Sequence, residues 1–110
     1  MKKVFIAHPI SGDVEGNLRK VALISRELYL DGILPVVPYY LACNSLDDNS
    51  PVEREIGMLS DKEYLLDGFI DELWLYGDRI SKGMQSEIDL CIKLGIPVKS
   101  KSKDIYYEHT

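Results

Sequence analysis

Ser81, Gly83 and Glu87 stand in one short run, Ser81-Lys82-Gly83-Met84-Gln85-Ser86-Glu87. The run follows the strand-like stretch Leu73-Trp74-Leu75-Tyr76 and opens a helix. A serine at that point caps the helix, and glycine leaves a ligand free to approach the backbone. The unpaired N–H groups and positive dipole end of a helix suit an anion such as a phosphate. A carboxylate one turn further in is placed to attack whatever carries that phosphate. Those are the parts of a nucleotide site.

The helix that must hold Glu87 runs from Ser81 to Leu94 and stops at Gly95. At 100° per residue, Met84, Ile88, Cys91 and Ile92 gather on one side, and Glu87 lies roughly 80° from the centre of that stripe. It therefore sits at a boundary between core and solvent. Asp89 points elsewhere and belongs in water. An acid in the first turns of a helix also has a bland reading, because it complements the dipole.

Two more strands are expected from Val4-Phe5-Ile6-Ala7 and Ile33-Leu34-Pro35-Val36-Val37, and a short fourth from Ile96-Pro97-Val98. A helix is expected from Asn17 to the Asp31-Gly32 stop, on the spacing of Leu18, Val21, Ala22, Ser25 and Leu28. Residues 39–49 read as an irregular loop. Ser50-Pro51-Val52-Glu53 then starts a helix that continues to about Leu66, with serine as cap and proline in the first position. Alternating strands and helices imply a parallel sheet covered on both faces.

Ligands bind such sheets beyond the carboxyl ends of the strands. If the first and third strands are neighbours, loops 8–16 and 77–83 face each other and bring Ser11, Gly12, Ser81 and Glu87 to one cleft. His8, at the end of the first strand, can donate and accept hydrogen bonds to a base or sugar. Its bland reading is a turn histidine bonded to nearby backbone. Asp71 reads as a loop or capping acid and Trp74 as core, and His109 in the tail takes no role.

Composition narrows the partners. A chain of 110 residues with 45% hydrophobic content and a mean hydropathy of -0.11 fits one soluble globular domain. Thirteen Lys and Arg against 18 Asp and Glu, a net charge of -5, argue against a nucleic-acid polymer as partner. No stretch is long and apolar enough to span a bilayer, and Met1-Lys2-Lys3 leads straight into a strand without a signal-like segment. Cys43 and Cys91 have no metal or redox spacing and fit a reducing, cytoplasmic setting. No metal and no cofactor is expected.

Phe5–Gly12 (Phe-Ile-Ala-His-Pro-Ile-Ser-Gly), the strand Asp71–Gly77, and the Ser-x-Gly-x-x-x-Glu spacing of Ser81–Glu87 resemble the nucleoside 2-deoxyribosyltransferase-like superfamily. That superfamily includes nucleoside 5'-monophosphate N-glycosidases. The nearer resemblance is to its small bacterial and phage branch, in which Gly95-Ile96-Pro97-Val98 also recurs. It covers residues 3–98.

The resemblance implies a flavodoxin-like α/β fold, a three-layer sandwich on a parallel sheet of four to five strands. The expected domain is 1–98, followed by a polar tail, 99–110. It further implies that Glu87 is the nucleophile at the anomeric carbon of a (deoxy)ribosyl group. Ser81 and Gly83 match phosphate-binding positions, and Ser11 and Gly12 lie in the corresponding first loop. His8 and Asp71 complete the expected substrate contacts. A homodimer or higher homo-oligomer is also implied.

The chain departs from the family in two places. Active members carry a first-strand tyrosine that orients the glutamate, where this chain has Phe5. The family's additional acid, upstream of the Asp71 counterpart, falls on Glu63, with Asp61 nearby on another helix face. Glu87 favours an N-glycosidase or deoxyribosyltransferase acting on a small nucleoside or nucleotide. Phe5 favours the alternative, a non-catalytic binder of a nucleotide or ADP-ribose-like metabolite.

Overall fold

Val4, Phe5, Ile6 and Ala7 expose no surface, and they form the body of the central strand β1 (Lys3–Ala7) in the computed structural model, which describes residues 1–109. The further elements are α1 (Val14–Leu30), β2 (Leu34–Val36), α2 (Pro38–Ser45), α3 (Pro51–Leu66), β3 (Glu72–Leu75), α4 (Lys82–Leu94), β4 (Val98–Ser100) and β5 (Glu108–His109). The sheet order is β2-β1-β3-β4-β5. The first four strands are parallel, and β5 pairs antiparallel to β4. The fold is the expected α/β, flavodoxin-like one.

Alternation along β1 and β3 divides the core between the two faces. Val4, Ile6 and Trp74 pack with Leu28 on one face. Phe5, Ala7, Leu73 and Leu75 pack on the other with Leu65 of α3 and Met84, Ile88 and Cys91 of α4. Of the stripe predicted for α4, Met84, Ile88 and Cys91 are buried, while Ile92 is exposed. Each buried side chain contributes about 1.5–3 kcal/mol, and together they fix α4 against the sheet.

Several expectations shift at their edges. α1 begins at Val14 rather than Asn17, because Asp13 caps it by accepting from the Gly16 N–H at 3.1 Å. The segment expected as loop contains the helix α2, which starts with Pro38 at its first turn. Only Tyr39 of α2 is buried, so no apolar period marks the helix in the sequence. α3 starts as predicted, with Ser50 Oγ accepting from the Glu53 N–H at 3.3 Å.

The sheet also continues past residue 98. Ile96 N–H closes α4 on the Cys91 carbonyl, which delays β4 until Val98. Ile105 enters the core, and Ser100 Oγ donates to its carbonyl at 2.6 Å. Ser102 Oγ donates to the Gly77 carbonyl in a short hydrogen bond. Beyond residue 98, β4 runs on to Ser100 and β5 pairs with it at the edge of the sheet.

Candidate active site

β1 and β3 are hydrogen-bonded neighbours, so the loops that leave their carboxyl ends meet. Gly77 records how closely. Its φ is +97°, and a Cβ there would lie 2.5 Å from Pro9 Cδ and 3.6 Å from His8 Nε2. Both the left-handed backbone and the proline ring restrict this position to glycine. His8 is buried, with Nδ1 donating to the Pro9 carbonyl at 2.6 Å. That backbone bond fixes the ring and leaves Nε2 beside Gly77.

Ser11 and Gly12 line an open cleft of about 280 Å³, facing Asp78 and Arg79 across it. Lys20 of α1 supplies a second cation to the cleft, while Asp13 and Asp78 supply acids. Arg79 pairs with Asp78 at 2.9 Å. Asn17 ties α1 to the loop by donating to the Ile10 carbonyl at 2.9 Å. Ser81 and Glu87 are not among the residues that line this cleft.

Ser81 caps α4 by accepting from the Met84 N–H at 3.2 Å. Gly83 is exposed in the first turn, and a Cβ there would meet nothing within 4 Å. Its N–H and that of Lys82 lie in the turn whose donors have no intrahelical partner.

Glu87, one turn further along, is half-buried, and three groups gather on it. Burial pushes its carboxyl well above the ordinary range, and the charge of Asp61 pushes it further. Asp61 is raised by burial to about 7. Its Oδ1 is buried with no hydrogen-bond partner among the described residues. Tyr39 is raised by burial first and then by Glu87, Asp61 and Cys43. Cys91, one turn beyond Glu87, is raised to about 12 by burial and by Glu87.

Of Asp61 and Glu63 on α3, Asp61 is the one turned toward Glu87, and Glu63 is exposed. The spacing carried this signal. Gly57 packs toward Ala42 of α2 and Leu46 just after it, and Leu65 enters the core. Asp61 lies midway between them on the same inward face. Tyr39 had no comparable signal, because it stands in a helix that has no period.

Asp71 is placed apart from these groups. It precedes β3, at the amino ends of the strands, and its Oδ2 accepts from the Lys3 N–H at 2.7 Å. Parallel strands place that point at the end of the sheet opposite Glu87, where Asp71 ties β3 to β1. Nearby, Glu72 accepts from Lys2 Nζ at 2.7 Å and Trp74 Nε1 at 2.8 Å. Burial alone would raise its carboxyl, but these bonds and Lys99 hold it down at about 2.

Among the described residues no group of three or more His, Cys, Asp and Glu could hold a metal ion, and no helix is long and apolar enough to cross a membrane.

No curated protein matches the sequence. Among solved structures, a 2-deoxyribosyltransferase from the psychrotolerant bacterium Bacillus psychrosaccharolyticus aligns with a TM-score of 0.71 and 21% identity. The alignment covers 96% of this chain and 77% of that one. A conserved protein from Enterococcus faecalis V583 aligns with a TM-score of 0.65 and 24% identity, over 91% of this chain and 62% of that one. At these identities the likeness is one of fold. The match of a family profile to residues 2–101 places the chain in a family described as Domain of unknown function (DUF7768).

Proposed function

We propose that this protein breaks the N-glycosidic bond of a small nucleoside or nucleotide through Glu87, passing the sugar to water or to a second base. One observation carries the reading: Glu87 is gathered with Asp61 and with Tyr39, whose hydroxyl donates to the Ile6 carbonyl near the carboxyl end of β1. Likeness of fold to a structure that is a 2-deoxyribosyltransferase supports the same class of chemistry.

In this mechanism a carboxylate oxygen of Glu87 bonds to the anomeric carbon as the bond to the base nitrogen breaks. The electron pair leaves with the base, which takes up a proton. Two carboxyls side by side share protons as a unit, and the reactive form has Glu87 ionised with the proton on Asp61. Asp61, raised to about 7, is suited to give that proton to the base. Water or another base nitrogen then attacks the glycosyl ester and frees Glu87. The open turn at Gly83 and the Ser11–Gly12 loop, with Lys20 and Arg79 nearby, hold phosphate and sugar; His8 shapes the first loop.

The protein also acts as a homo-oligomer in this reading. Val52, Ile56, Leu59 and Leu66 recur along one side of α3 and are exposed. A second copy of the chain is the occupant proposed for that stripe.

Phe5 supports a second reading. Its buried ring offers no hydroxyl to Glu87, as suits a protein that holds a nucleotide or ADP-ribose-like metabolite intact. Incubation with nucleoside monophosphates and deoxynucleosides, following free base by chromatography, separates the two. Base release that disappears in Glu87→Gln supports the enzyme, and bound ligand recovered intact supports the binder.

A further inference from the structure

The parallel ladder between β3 and β4 advances in steps of two. Leu73 N–H donates to the Pro97 carbonyl and Lys101 N–H to the Leu75 carbonyl, each at 2.9 Å. Continued by two, the next rung would bring the Lys103 N–H to the Gly77 carbonyl. The chain instead turns at residues 103–104. Ser102 supplies the rung with its side chain, Oγ donating to the Gly77 carbonyl in a half-buried hydrogen bond.

Ser102 is itself held. Its Oγ accepts from the Asp104 N–H at 3.1 Å, and its N–H donates to Ser100 Oγ at 3.3 Å. Ser100 Oγ in turn donates to the Ile105 carbonyl at 2.6 Å, and Ile105 lies in the core. A hydroxyl has one proton to give. With the Asp104 N–H on a lone pair of Ser102 Oγ, that proton is directed at Gly77.

Gly77 is thus gripped by two segments far apart in the sequence. Pro9 Cδ lies 2.5 Å from where its Cβ would be, and Ser102 holds its carbonyl. The next residues, Asp78 and Arg79, form the wall of the cleft that faces Ser11 and Gly12. Arg79 is two residues on, no more than about 7 Å of extended chain. Among the described residues, the other side-chain hydrogen bond of the stretch 77–80 is internal, from Arg79 to Asp78 at 2.9 Å. The tie from this wall to the rest of the fold therefore runs through Ser102.

We propose that Ser102 is a positioning residue of the site: by holding the Gly77 carbonyl it fixes the wall of the cleft that carries Asp78 and Arg79. This deepens the reading above, in which the cleft takes phosphate and sugar, and rests on that reading for the ligand alone. An anionic group entering beside Ser11 then meets a cation already in place, and binding does not have to order the loop. The role requires the hydroxyl, so threonine can replace serine and alanine cannot.

The test is nitrogen NMR relaxation of the ligand-free protein, read at the amides of Asp78 and Arg79 in wild type, Ser102→Ala and Ser102→Thr. In wild type both amides are expected to be as ordered as β3, with order parameters of about 0.85. In Ser102→Ala they are expected to fall below about 0.6 while β3 is unchanged, and in Ser102→Thr to stay high. Order kept in Ser102→Ala overturns the proposal. So does a wild-type loop already below about 0.6, which decides the matter if Ser102→Ala does not fold. A serine that only added stability would lower the melting temperature on removal and leave both amides as they were.

Calorimetry with a nucleoside monophosphate adds the ligand. Affinity is expected to drop about fivefold to tenfold in Ser102→Ala, the size of one hydrogen bond, and to return in Ser102→Thr. Unchanged affinity in a loosened loop also overturns the proposal. No binding by wild type would contradict the reading of the cleft, while the relaxation result, obtained without ligand, still decides whether Ser102 fixes the wall.

Discussion

The charge of Asp61 on α3 acts on Glu87 of α4, adding to burial in pushing the Glu87 carboxyl up. Asp61 itself is raised to about 7 by burial, and its buried Oδ1 has no hydrogen-bond partner among the described residues. Such an arrangement works against stability and is characteristic of groups kept for chemistry. Ordinary packing would place an apolar residue between Gly57 and Leu65.

Stability should therefore fall as pH rises through this pair. A carboxyl whose folded pKa exceeds its unfolded value, near 4, binds more protons folded than unfolded between the two values. For Asp61 the loss begins near pH 4 and is complete above about 7. Glu87 adds a loss of the same sign. Urea unfolding at pH 4 and pH 8 should show Asp61→Asn more stable than wild type at pH 8, by on the order of 2 kcal/mol, with the difference shrinking at pH 4. A difference that does not change with pH contradicts the raised carboxyl.

Gly83 should trade stability against binding. Helical glycine costs about 0.5–1 kcal/mol relative to alanine, and nothing in the chain lies within 4 Å of the missing Cβ. Gly83→Ala should raise the melting temperature by a few degrees while weakening binding of a nucleoside monophosphate about tenfold or more, read by calorimetry. Unchanged binding would mean that the space serves no ligand.

Gly77 and Gly12 offer a matched pair. Both have positive φ, +97° and +98°, but only Gly77 faces Pro9, with nothing within 4 Å at Gly12. Gly12→Ala should cost about 1 kcal/mol for its backbone alone. Gly77→Ala should cost about 2–4 kcal/mol, because crowding adds to strain. Equal costs by urea unfolding would contradict the close approach of the two loops.

The exposed stripe on α3 predicts assembly. Sedimentation should find more than one copy in the wild type, and Ile56→Glu with Leu59→Glu should give monomers that keep their helix content. A wild-type monomer at every accessible concentration contradicts the homo-oligomer.

The parts of this molecule that were legible in the sequence are those whose signals are local. Continuous apolar runs marked β1 and β3, Ser81 and Gly95 bracketed α4, and Ser50-Pro51 opened α3. The site was read from one side only. Glu87 was visible from its spacing to Ser81 and Gly83, but its neighbours arrive from distant segments. Tyr39 meets Ile6 through a bond spanning 33 residues, from a helix with no apolar period. Asp61 was readable in principle, since it shares a face with Gly57 and Leu65. Asp71 adjoins a recognisable strand, but at the end away from Glu87, which its position in the sequence does not reveal.

The central claim is that Glu87 is the nucleophile, and base release tests it most directly. Wild type and Glu87→Gln should be incubated with nucleoside monophosphates and deoxynucleosides, and free base followed by chromatography. Wild type should release base from at least one of them, with a loss of roughly a thousandfold or more in Glu87→Gln. Equal release by the two proteins, or none by wild type from any of these compounds, contradicts it.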